Sequence, residues 1–259
     1  MISTSFEGLK QYLFVIKQIS YKDHKRKTDE TNLGVVWNVL NPLLYMVILS
    51  TYYQNVISHD IENFPIFVFT GITMMNFYST ATKGAMHSLV GNKSLLIRSQ
   101  IPMRTFILQK VLMAFREMLF SCVALIPIMI YFRIHLSWRV VQLLPIMLLT
   151  IAVIIGMGTI LAITYVFFAD IDYLYSVFMT MMFFVSGVFM PTSKLPGRLQ
   201  GLATYNPIFL SIYLSRNALV YNLPSHWTAW VKLSIWAVGL GFIAYLMAKK
   251  TRNSLIGRM

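Results

Sequence analysis

The residues that could carry chemistry in this sequence are few and far apart. Asp170 and Asp172 stand one residue apart and could hold a divalent metal, as in a membrane glycosyltransferase. No further carboxylate lies near them in the chain, and a short acidic loop end accounts for the pair equally well. The histidines, His24, His59, His87, His135 and His226, are scattered over loops and span ends and build no metal cluster. The sequence holds no G-x-x-x-x-G-K-[S/T] phosphate loop, because Gly91-Asn92-Lys93-Ser94 lacks the glycine next to the lysine. Neither H-E-x-x-H nor G-x-S-x-G occurs. Cys122, the sole cysteine, sits in an apolar run, so neither a disulfide framework nor a Cys-ligated metal is available. No catalytic residue and no metal ligand is assigned. Work against a gradient would need another chain or an ion to supply the energy.

What remains is polar chemistry inside apolar runs. At 100° per residue, Trp37, Asn41, Tyr45, Tyr52 and Asn55 fall within an arc of about 80°. Such a stripe can line a passage in which rings stack on sugars and polar tips hydrogen-bond, or it can bond a neighbouring helix. Pro42 lies in the first turns of that helix and would bend it. A second stripe, Tyr175, Phe178, Met179, Met182, Ser186 and Phe189, spans about 100° and is either a soft pathway surface or plain packing. Lys110 and Glu117 share one helical face, two turns apart, while Arg116 projects about 100° away. Charges at membrane depth are functional hypotheses by default. Lys110 can stay at the interface, leaving Arg116 and Glu117 to find partners on other helices or another subunit. A lone acid such as Glu117 would also suit a proton-coupled carrier.

The elements that must position these residues are membrane helices. Of the 259 residues, 57% are hydrophobic and 12% charged, with mean hydropathy +0.63. A soluble domain carries about 25% charged residues, so an ordinary cytosolic enzyme is excluded, and the hydrophobicity excludes disorder. Runs of about 20 apolar residues predict six spans, at 33–57, 64–81, 105–132, 141–168, 173–190 and 228–248. The formal charge of +13 could point to nucleic acid, but its distribution is topological. Fourteen Lys and Arg lie in the N-terminal segment, the second-to-third connection and the C-terminal tail, against five on the other side. The positive-inside rule then places both termini in the cytoplasm, and no nucleic-acid partner is expected. No cleaved leader is expected, since the first thirty residues lack an h-region with a small-residue cleavage site. Residues 6–20 put Phe6, Leu9, Leu13 and Ile16 on one face and predict an amphipathic helix in the interface. Ser94–Gln100 predicts a short cytoplasmic helix stopped by Pro102, with Leu95, Leu96 and Ile97 offered to a partner groove. The external 191–227 segment predicts short re-entrant or interfacial helices. The fold class is all-α, one polytopic membrane domain over 1–259.

The run DETNLGVVWNVLNPLLYMVIL at 29–49 resembles the opening of the first span in permease subunits of bacterial ABC exporters for polysaccharides. These are the O-antigen, teichoic-acid and rhamnan-type transporters of the type-2 permease superfamily. The pattern there is a basic stretch, Leu-Gly, a tryptophan, then Asn/Glu-Pro, which falls here on 22–27, Leu33-Gly34, Trp37 and Asn41-Pro42. NKSLLIRSQIPM ending at Met103, FFADIDYLYSV at 167–177 and YNPIF at 205–209 agree in order along the chain. The resemblance implies a homodimer paired with two copies of a separate ABC ATPase, which would hold the ATP and Mg while this chain holds no cofactor. It implies that Leu33-Gly34 is the turn from interface helix to first span. It implies that Asn92, Leu95, Leu96, Ile97, Arg98 and Pro102 belong to the helix that seats in the ATPase. First and fifth spans of both protomers would frame a channel for a lipid-linked polysaccharide crossing the bacterial cytoplasmic membrane. The external segment would gate the far side. The sequence departs from the pattern at Arg116-Glu117, which is more charged than usual.

Overall fold

The computed structural model describes residues 36–53, 63–98, 101–134, 137–190 and 196–258, with single positions at 16, 18, 20, 21 and 34. Among these the architecture is all-helical. The order is α1 (Val36–Tyr53), α2 (Phe64–Gly91), α3 (Lys93–Arg98), α4 (Met103–Tyr131), α5 (Leu143–Phe167), α6 (Ile171–Val185), α7 (Gly197–Ala203), α8 (Pro207–Arg216) and α9 (Trp227–Arg258). A 3-10 turn, Trp138–Gln142, leads into α5, and a π turn, Asn217–Tyr221, follows α8. The interface helix expected over 6–20 lies outside the described residues apart from isolated helical positions, as do Leu33 and Asn55.

α2 is the centre of the bundle. It packs against α4 and α5 along its length and against α1 and α8 more briefly, so most of its surface is covered. The burial explains its composition. A helix wrapped in protein need not be apolar all round, and α2 carries Thr70, Thr73, Asn76, Thr80 and Thr82 along its middle. Among the described residues, three helical segments are long and apolar enough to cross a membrane, and α2 is not one of them: Met103–Tyr131, Trp138–Phe167 and Trp227–Thr251. α1 and α6 hold shorter apolar stretches, Val39–Tyr52 and Ile171–Val185.

α5 holds the bundle to α9 through glycines. Gly156 lies against Leu240 and the Gly241 backbone, and Gly158, on the opposite side, lies against Ala85 of α2. Small residues let helices approach where lipid supplies no hydrophobic drive. α5 also donates a hydrogen bond from Thr150 Oγ1 to Ser211 Oγ of α8, 3.0 Å away.

The expected short helices before the last span are α7 and α8. α8 starts at the YNPIF motif for a local reason. Asn206 is its N-cap, with extended backbone and Oδ1 accepting from the Ile208 N–H at 3.0 Å, and Pro207 fills the first helical position. Asn206 Nδ2 also donates to Ser186 Oγ at 2.7 Å. Asn206→Ala should lose both bonds and lower thermal stability by about 1–2 kcal/mol, read as a melting shift of the detergent-purified chain.

Candidate functional site

Polar groups from three helices converge on one cavity of about 330 Å³ between α1, α2 and α4. Each helix contributes one face. α1 gives Trp37, Asn41, Pro42 and Tyr45; α2 gives Thr73, Asn76, Phe77 and Thr80; α4 gives Ala114, Glu117, Met118 and Ser121. The last two sets follow the i, i+3, i+4, i+7 spacing of a single helical stripe. Asn76 and Thr80 are the exposed residues of an otherwise covered stretch of α2, and both face this cavity. Pro42 cannot donate to the carbonyl one turn back, which opens the α1 backbone beside the cavity wall. Ser121 Oγ donates to the Glu117 carbonyl at 3.2 Å, and Phe115 packs its ring 5.9 Å from Phe77 behind the lining.

The first-span stripe is thus divided. Trp37, Asn41 and Tyr45 line the cavity, whereas Tyr52 is 72% exposed and lies away from it. Glu117 joins the same wall, a convergence that separate readings of the first and third spans did not contain. Arg116 lies outside the lining, with Nε and Nη2 buried and without a hydrogen-bond partner among the described residues. Thr73, Asn76, Thr80 and Ser121 were missed by sequence reasoning. The Thr-Asn-Thr spacing of 73, 76 and 80 within an apolar run was the available signal.

The fifth-span stripe turns mostly inward. Tyr175 and Met179 are buried in the main core, and Tyr175 donates to Thr82 Oγ1 on α2 at 2.7 Å. Phe178 is exposed and stacks on Tyr175, while Met182 and Phe189 are half-buried. Ser186, past the end of α6, is buried against Asn206. The stripe therefore runs into a turn rather than one continuous helix.

α3 continues almost directly from α2, which runs on to Gly91, ten residues past the predicted span end. Asn92 alone separates them, its Nδ2 donating to the Ser88 carbonyl at 2.8 Å. Leu96 is half-buried against a small cluster of Ala85, Leu89, Ile107 and Ala162. Leu95 and Ile97 point outward, 41% and 53% exposed. Pro102 caps α4 with extended backbone, and the Arg98 backbone closes α3. Gly34 has φ +43, a left-handed turn that glycine adopts without strain.

Asp172 faces a histidine. Its carboxylate lies 3.2 Å from His87 Nε2 on α2, and His87 Nδ1 donates to the Lys83 carbonyl at 3.0 Å. Both ring nitrogens face oxygen atoms, which fixes the orientation of the ring between α2 and α6. Among the described residues no group of three or more His, Cys, Asp or Glu is placed to hold a metal ion.

The cavity pairs flat aromatic rings with neutral amide and hydroxyl groups and one carboxylate, at the small end of ligand-pocket sizes of about 300–1,000 Å³. It suits a hydroxyl-rich ligand held by stacking and hydrogen bonds. Comparison with known proteins points the same way. A family model described as ABC-2 type transporter matches residues 15–220. An O-antigen export system permease protein, RfbA, of Klebsiella pneumoniae is 27% identical over 221 residues, covering 82% of each chain. The RfbA protein of Myxococcus xanthus is 24% identical, covering 83% of each. A polysialic acid transport protein, KpsM, of Escherichia coli is 19% identical over 255 residues, 96% of this chain and 98% of its own.

Proposed function

The chain belongs to the ABC-2 type transporter family, and on that premise we propose that it is the membrane permease that exports a lipid-linked polysaccharide across the bacterial inner membrane. The energy comes from ATP hydrolysis on a separate ABC ATPase, two copies of which hold the ATP and Mg against a homodimer of this chain. α1, α2, α4, α5, α6 and α9 are the six spans, with both termini in the cytoplasm and α3 seated in the ATPase. Leu33 and Gly34 turn the interface helix into α1. The cavity carries this reading. A lining of Trp37, Asn41, Tyr45 and Asn76 among apolar helices offers rings and hydrogen bonds to sugar at a depth where unpaired polar groups are costly. Tyr52, Asn55 and Phe178, the exposed ring of the fifth-span stripe, extend the pathway in the dimer, and the relatives' printed roles, O-antigen export and polysialic acid transport, support a glycan cargo.

The test is export in cells together with ATP hydrolysis by the purified complex. Tyr45→Ala, which removes an aromatic anchor, should cut surface polysaccharide about tenfold or more while the complex still assembles and hydrolyses ATP. Normal export by Tyr45→Ala and Asn76→Leu alike would sink the pathway assignment. The position of Glu117 on the cavity wall favours a second reading, an ion-coupled or ABC-type exporter of small molecules. Loss of pH-dependent transport in Glu117→Gln, without any requirement for an ATPase, would establish an ion-coupled carrier instead.

A further inference from the structure

A buried arginine ties together three segments that are far apart in sequence. Arg216, the last residue of α8, is 5% exposed. Its Nε and Nη2 donate to the Phe67 carbonyl at 3.2 and 2.7 Å, Nη1 to the Gly187 carbonyl, and Nη2 to the Val188 carbonyl at 3.0 Å; the Nη1 bond measures 2.6 Å. The guanidinium carbon sits 3.4 Å from the centre of the Phe67 ring. A guanidinium is the side chain that suits this place, because its donors are fixed in a planar fork and can reach several carbonyls at once. The charge is balanced by dipoles. Gly187 and Val188 follow immediately after the C-terminus of α6, where the helix dipole favours a cation, and the ring face adds cation–π attraction.

Two glycines make the clasp possible. Gly187 takes φ +67, presenting its carbonyl and that of Val188 to the arginine. Gly71, one turn after Phe67, leaves the space the guanidinium fills; a Cβ there would collide with Arg216 Nη2. The other end of α8 grips the same turn, through Asn206 Nδ2 on Ser186 Oγ. Both ends of α8 are therefore fixed to residues 186–188. α6 itself buries only Tyr175 and Met179 among its helical residues, so polar ties rather than broad packing set its far end.

We infer that Arg216 is a positioning residue that makes α8, the end of α6 and the start of α2 move as one body. A shift of α6 that accompanies passage of substrate is then transmitted to the external segment. The transport part of this inference rests on the export reading above; the clasp does not.

The experiment compares Arg216→Gln, Gly71→Ala and the double variant in the full-length chain with its ATPase. Amide exchange over 207–221 should rise about tenfold in each single variant, as for a locally released segment. The double variant should give less than the sum of the two, because both changes disturb the contact of Arg216 with Val188 beside Gly71, although the alanine also crowds the Val188 backbone. Export per ATP hydrolysed should fall in both, whereas a merely structural loss would lower export and hydrolysis in step. Unchanged exchange, or additive effects, overturns the clasp. Faster exchange with normal export per ATP overturns the transmission. Absence of ATP-driven polysaccharide export by the wild-type complex overturns the export reading alone and leaves the exchange result standing. Should Arg216→Gln fail to insert, Gly71→Ala, which keeps the arginine, carries the same outcomes.

Discussion

Gly156→Leu is expected to unfold or severely loosen the bundle, at a cost of about 3 kcal/mol or more. An ideal Cβ at 156 would stand 2.8 Å from Leu240 Cβ, 2.9 Å from the Leu240 carbonyl carbon and 3.0 Å from the Gly241 nitrogen. Two of those three atoms are backbone, so no rotamer change relieves the clash and α5 and α9 must separate. Separation is costly because packing supplies most of the association of helices in lipid. Gly239→Ala, in open space on α9, is the control and should be neutral or stabilising by up to about 1 kcal/mol. Melting of both variants in detergent, followed by loss of the monodisperse peak, decides the matter. A Gly156→Leu chain that melts with the wild type would show that the helices do not meet there.

Ile97→Asp is expected to abolish export with the fold intact. Ile97 is the most exposed apolar side chain of α3, and Leu95 flanks it. Their partner, in the reading proposed above, is an apolar groove on the ATPase, where a buried carboxylate would cost about 2 kcal/mol and weaken association roughly thirtyfold. Leu96 is the wrong place for this test. It packs against Ala85, Leu89, Ile107 and Ala162, so Leu96→Asp would damage the attachment of α3 as well as its docking. Co-purification of the ATPase with Ile97→Asp at wild-type yield, alongside an unchanged melting temperature, would remove α3 from the interface.

Much of this molecule could be read along the chain. The starts of α4, α5 and α9 lie within two residues of the predicted spans, because hydropathy and helix-breaking prolines act locally. The N-cap of α8 was present in the YNPIF run before its role was visible. The end of α2 was not. Hydropathy falls at Lys83, yet no proline interrupts the chain before Gly91 and the single glycine on the way, Gly84, is tolerated inside the helix against Lys110, so the backbone goes on turning after the apolar run has ended. Apolarity measures fit to lipid; helix formation needs only uninterrupted backbone hydrogen bonds.

The candidate site shows the same division. A helical stripe from Trp37 to Tyr45 follows from spacing alone, since 3.6 residues per turn fixes which side chains share a face. That this face meets Asn76 and Glu117 depends on how three helices pack, which no local pattern encodes. Arg216 marks the limit most clearly. The sequence by itself shows that Arg216 interrupts an apolar stretch of the external segment, and says nothing of whether it is buried. Only the tertiary structure decided that the acceptors are the carbonyls of Phe67, Gly187 and Val188, which the fold brings together from 149, 29 and 28 residues away.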